Sequence, residues 1–169
     1  MARFDKFAPL LKKLEGGFVN DPADKGGATN MGVTLRTYRA IFGKEKTVED
    51  LKHISDGEWT TIMKTLYWDV ARCDEIENQS IAELIADWLA NSGTRMIKAI
   101  QEEAGVDADG IVGPKTLAAI NGANQRCLHC KILVRRRKFY SRIIVVDPSQ
   151  KKFEKGWNNR LSHFVYEGD

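Results

Sequence analysis

Apolar residues recur three and four apart along most of the chain, the spacing of helices with one buried face. Phe4, Phe7, Leu11 and Leu14 form the first such stripe, and Glu15 follows at its edge. Gly16-Gly17 then supplies the left-handed residue that commonly ends a helix. A short helix is predicted over 35–42, closed by Gly43. Thr47 with Asp50, and Ser55 with Glu58, have the spacing of capping boxes. The first opens a short helix through His53; the second opens a longer one with Trp59, Ile62, Met63, Leu66 and Val70 on its core side. Ser80 with Glu83 predicts the start of a helix over 81–91, whose broad apolar arc makes it the central buried element. Further helices are predicted over 94–104, 114–121, 126–146 and 149–164, the last carrying Phe153, Trp157, Leu161 and Phe164 as one stripe.

One stretch departs from this pattern. Residues 20–32 hold Pro22, Gly26, Gly27 and Gly32 among Asn20, Asp21, Asp24, Thr29 and Asn30. That is turn chemistry rather than core material, and it predicts a short hairpin. The expectation is an all-α fold with one small β-hairpin.

Such a hairpin would bring two carboxylates near each other. Glu15 sits between apolar neighbours and the negative end of its helix dipole, and both disfavour the ionised form. A carboxylic acid that keeps its proton is what general acid catalysis at an ether oxygen requires. Asp24 and Thr29 would face it across a cleft, and two carboxylates flanking a glycosidic bond are the minimum equipment for hydrolysing it. The bland reading is a solvated helix-end glutamate beside a hairpin in which Asp21 and Asp24 cap their own backbone.

The run Glu15-Gly16-Gly17-Phe18-Val19-Asn20-Asp21-Pro22-Ala23-Asp24, continuing through Lys25-Gly26-Gly27-Ala28-Thr29-Asn30 to Met31-Gly32-Val33-Thr34, resembles the signature of glycoside hydrolase family 108. Phe18 stands where that family usually has Tyr, and Thr29 comes one residue earlier than in the wider phage-lysozyme pattern. The resemblance implies a lysozyme-like fold, with the hairpin near the active site, and an N-acetylmuramidase cutting the β-1,4 bond between N-acetylmuramic acid and N-acetylglucosamine. Glu15 would be the acid, Asp24 the stabilising or water-positioning carboxylate, and Thr29 its assistant. Residues 87–93 resemble the Asp-aromatic-x-x-Asn-x-Gly segment of lysozyme-like folds, which implies Asn91 near the cleft; alternatively, Asp87 and Asn91 hydrogen-bond within the core or cap a helix end. Asn30, Tyr67 and Trp68 are the other candidate sugar contacts, although general burial tendencies favour a core role for the two aromatics.

Asp109-Gly110-x-x-Gly113-x-x-Thr116 resembles the motif of small helical peptidoglycan-binding units that accompany the catalytic part in this family. It implies a catalytic domain over 1–93 and a peptidoglycan-binding domain over 94–169. No Pro- or Ser-rich linker separates them, so they are expected to pack as one compact body.

Composition adds limits. The chain has 169 residues, 43% of them hydrophobic and 29% charged, with a formal net charge of +3. A folded protein is expected, and the charge suits an anionic wall polymer without arguing for nucleic acid. No apolar run reaches membrane-spanning length, so no membrane insertion is expected. The N-terminus lacks an apolar h-region. Synthesis in the cytoplasm is therefore expected, with a holin or specialised secretion path releasing the protein to the wall. Cys73, Cys127 and Cys130 give an odd count suited to a reducing compartment. Cys127-Leu128-His129-Cys130 has no second pair and lies in a predicted helix, and no metal or organic cofactor is implied. The basic run of the 126–146 helix reads as a solvated face over a buried side, its heads free to contact anionic wall or phage partners.

Two rivals remain at this level. A non-catalytic wall-binding or secretion-accessory protein would bind walls without releasing reducing ends. A DNA-associated protein using the basic helix would bind duplex with steep salt dependence.

Overall fold

The computed structural model describes residues 1–20 and 27–168. Its secondary structure is helical apart from one two-stranded hairpin, the all-α, lysozyme-like arrangement expected. Contacts divide the chain into two units, Phe4–Leu66 and Met1–Arg3 with Tyr67–Asp169. Within the second of these, helix Gln79–Ser92 packs against the long helix Gln125–Val146. Among the described residues no helix is long and apolar enough to cross a membrane.

In the first unit, helix α1 (Phe4–Glu15) buries Phe4, Phe7 and Leu11 and stops at Gly16, whose φ is +73°. Strands β1 (Thr29–Asn30) and β2 (Val33–Thr34) pair antiparallel, Thr29 opposite Thr34 and Asn30 opposite Val33. Helix α2 (Leu35–Phe42) is capped by Thr34 and closed by Gly43. Helices α3 (Val48–Lys52) and α4 (Asp56–Met63) both begin with complete capping boxes, Thr47/Asp50 and Ser55/Glu58. Phe4 and Trp59 pack ring to ring at 6.4 Å, and Lys12 lies over the Trp59 indole while its ammonium pairs with Asp56 at 2.6 Å. α1 and α4 are thereby tied together.

α4 runs directly into a π-helical turn, Lys64–Trp68. Its i→i+5 bonding adds about one residue to that turn. The helical spacing that put Val70 inward is therefore broken: Val70 is 40% exposed, and Ala71, at 1%, takes the inward place.

The second unit is built on α5 (Gln79–Ser92), α6 (Ile97–Ala104), α7 (Pro114–Gly122), α8 (Gln125–Val146) and α9 (Glu154–Leu161). The N-cap of α5 is Asn78, which accepts the Ile81 amide, and not Ser80. Ser80 is buried, and its hydroxyl instead accepts the Glu167 amide at 2.9 Å. α5 is buried over most of its length and packs on α8, as do α6, α7 and α9. Leu128, Ile132, Arg136 and Tyr140, four apart, form the inward line of α8.

Candidate active site

Glu15 is the last residue of α1, half-buried, where the helix gives way to Gly16. Beyond it the backbone of Val19 pairs with Thr29, each amide donating to the other's carbonyl at 2.8 Å. That bridge sets Thr29 beside Val19, and the hairpin turn, Met31-Gly32, lies against the end of α1. Both turn residues have positive φ, 45° and 77°, the requirement of a tight two-residue hairpin of the I′ kind. Met31 is not a residue that adopts this conformation freely. Trp59 holds it there by donating its indole N–H to the Met31 carbonyl at 2.9 Å.

The glycine that follows touches the carboxyl itself. A methyl group on Gly32 would lie 2.5 Å from Glu15 Oε2 and 2.9 Å from Cδ. The Glu15 carboxyl is thus seated directly on the turn backbone, in space that only glycine leaves open. Sequence spacing placed Gly32 in the loop but carried no sign of this contact.

The remaining candidates fall in different places. Asp24 lies outside the described residues. Thr29 is half-buried in the hairpin, opposite Thr34. Asn30 is buried, and its amide nitrogen donates to Leu51 O and Lys52 O, both at 3.0 Å. Both of its N–H groups are therefore spent on pinning the hairpin to the end of α3.

In the other unit, Trp68 is fully buried and its indole donates to Asp74 at 2.6 Å, so its ring offers no face to solvent. Tyr67 is half-buried. Asn91 is exposed at the end of α5, and its Oδ1 accepts the Tyr140 hydroxyl at 2.7 Å. That hydroxyl in turn accepts Arg136 Nε at 2.9 Å. Asp87 is fully buried between two guanidinium groups: Arg160 binds both carboxylate oxygens, its Nη2 at 2.7 Å, and Arg136 Nη2 lies at 2.7 Å.

The Asp109–Thr116 motif encloses a side chain that sequence reasoning passed over. Gln101 of α6 is buried at the centre of the loop. Its Nε2 reaches Asp109 Oδ1, Ile111 O and Thr116 Oγ1 at 2.8, 3.0 and 3.1 Å, and its Oε1 accepts the Gly110 amide at 2.8 Å. Gln101 is the chief cause holding the Asp109 carboxyl below its ordinary range. Gly110, with φ +86°, makes the turn, and Pro114 opens α7. Asp109, Thr116 and Gly110 therefore shape the loop, and Gly113 is the extended N-cap position of α7. An inward-facing Gln eight residues before an Asp-Gly turn was the available signal.

Helical architecture with a small hairpin set against a helix-end glutamate defines a lysozyme-like protein. The sequence comparisons name the group. A family model described as Glycosyl hydrolase 108 matches residues 9–93, and the chain belongs to that family. A second model, described as "Predicted Peptidoglycan domain", matches residues 95–162. Among solved structures, the chain is similar to that titled "Structure of Brucella abortus SagA", with 31% identity and a TM-score of 0.80. The match covers 95% of this chain and 90% of that one. No curated protein matches. Family and domain together make this a peptidoglycan-related, lysozyme-like glycoside hydrolase.

Proposed function

We propose that the protein is an N-acetylmuramidase that hydrolyses the β-1,4 bond between N-acetylmuramic acid and N-acetylglucosamine. The observation that carries this reading is the Glu15 carboxyl held against Gly32 at the junction of α1 and the hairpin turn, within a glycosyl hydrolase 108 chain. Glu15 donates its proton to the glycosidic oxygen as the bond breaks. Asp24 stabilises the oxocarbenium-like charge or orients the attacking water, and Thr29 assists it. Asn91 and Tyr67 are the remaining candidate sugar contacts. The wall-facing work is split, with the Asp109–Thr116 loop and its helices binding peptidoglycan. The protein reaches the wall through a holin-type or specialised release path, in a lytic or secretion-assisting role.

The test is digestion of purified peptidoglycan with mass spectrometry of the products. New reducing ends on N-acetylmuramic acid are expected from the native protein, and none from Glu15→Gln with an unchanged circular dichroism spectrum. Native protein that sediments with walls yet releases no reducing ends would make it a binding protein instead.

A further inference from the structure

The basic residues of α8 are not distributed evenly around the helix. Lys131, Arg135, Lys138 and Arg142 are spaced four, three and four apart and so share one side. Arg135 is balanced by Glu102 and Glu103 of α6. Lys138 and Arg142 are exposed and line a groove of about 460 Å³ together with Arg135, and its apolar wall includes Phe139 and Trp88. A second groove of about 320 Å³, lined by Lys131, Val134 and Glu103, shares Arg135 and Lys138 with the first, so the two run together along α8. Lys131, Lys138 and Arg142 have no ion pair among the described residues. Trp88 is fully buried behind Phe139, ring centroids 6.1 Å apart, and its indole N–H has no partner among the described residues.

An apolar trough with three uncompensated cations on its rim asks for an extended anionic ligand that also has apolar surface. The groove lies in the segment matched by the peptidoglycan domain, apart from Trp88. Within peptidoglycan the N-acetylated sugars offer little charge, because the lactyl carboxylate of each muramic acid is consumed in the amide that carries the stem peptide. The free carboxylates are on the peptide. Length agrees as well: Lys131 to Arg142 spans about 16 Å at the helical rise, and a stem of roughly four to five residues reaches about 13–18 Å when extended.

Resting on the peptidoglycan reading above, we infer that the α6–α8 groove binds the stem peptide, its carboxylates paired with Lys131, Lys138 and Arg142 and its apolar side chains against Phe139. The second unit would then recognise the peptide, leaving the glycan to the Glu15 site.

The test uses full-length protein with Glu15→Gln, to prevent digestion, in sedimentation with intact sacculi and with sacculi stripped of stem peptides by an amidase. Binding to intact sacculi should exceed binding to stripped glycan on the order of tenfold. Lys138→Glu/Arg142→Glu, at exposed positions where substitution leaves folding intact, should abolish that difference. The free peptide N-acetyl-L-Ala-γ-D-Glu-meso-diaminopimelyl-D-Ala, with three carboxylates against one ammonium, should shift the amide resonances of 131–142 in NMR titration, and its methyl esters should not. Equal binding to intact and stripped sacculi, unchanged in the double variant, overturns the inference while leaving the peptidoglycan reading in place. Failure to bind either form overturns both. Binding of anionic lipid vesicles or duplex DNA that is lost in the double variant, with no response to the peptide, assigns the groove to another polyanion and also overturns it.

Discussion

The carboxyl of Glu15 rests on the backbone of Gly32, so closely that a Cβ there would come within 2.5 Å of Oε2. Two demands converge on that glycine, a φ of +77° and the absence of a side chain. Gly32→Ala should therefore displace the carboxyl as well as strain the turn. Gly105 has the same φ with nothing within 4 Å of its missing Cβ. Gly105→Ala should cost only the left-handed penalty, about 1–2 kcal/mol, with peptidoglycan turnover retained. Gly32→Ala should lose more stability and, since a shift of about 1 Å costs on the order of a hundredfold in rate, most of its activity. Turnover and urea unfolding on the pair distinguish position from strain.

Glu58 should govern part of the acid stability. The Tyr38 hydroxyl donates to its Oε1 at 2.7 Å, and the Ser55 amide donates to Oε2 at 3.0 Å. These bonds, Tyr38 first, hold its carboxyl at about 2, against 4.5 for the free group. Between those values the unfolded chain binds more protons than the folded one. The stabilisation is accordingly complete above pH 4.5 and is lost as pH falls toward 2. Tyr38→Phe should raise the Glu58 pKa, move acid unfolding to higher pH, and cost about 1 kcal/mol at neutrality. Carboxyl titration by NMR and acid denaturation report the two effects.

Asp87 is the counter-ion of two guanidinium groups in a fully buried site. Asp87→Asn leaves Arg136 charged and buried beside a neutral amide. Breaking such a pair costs about 3–5 kcal/mol, whereas the exposed Asp107→Asn should stay within about 0.5 kcal/mol. Urea midpoints at constant slope measure the contrast.

Gln101→Ala should loosen the loop before α7. It removes the acceptor of the Gly110 amide and a bond to the Asp109 carboxylate. The Asp109 carboxyl, held down chiefly by that bond, should then titrate at higher pH. Faster hydrogen exchange at Gly110 is the second readout, and an unchanged Asp109 titration would contradict the assignment.

Local chemistry was legible in the chain because it is decided within a few residues. Thr47/Asp50 and Ser55/Glu58 form their capping boxes, and Gly16 and Gly43 end their helices where spacing placed them. The first hairpin strand and the turn fell within the one stretch that broke the apolar period, and the second strand follows directly after it. The π turn that swings Val70 outward lay beyond a 3.6-residue argument, because it is an inserted residue that no period announces. Ser80 looked like a cap and became a buried partner of Glu167, 87 residues away.

Sequence alone determined the helical course of the chain, the Thr47 and Ser55 caps, the position of the loop and the family signature, all consequences of backbone conformation and short-range spacing. Tertiary structure decided which polar groups face inward. Arg136 belongs to a run of like residues, Arg135 to Lys138, and is set apart by Asp87 on another helix and by the Tyr140 hydroxyl. Glu15 meets Gly32, and Asn30 meets Leu51 and Lys52, because packing closes distances that the chain leaves open. Burial makes a polar group costly until it finds such a partner, and the partner's address is set by the fold.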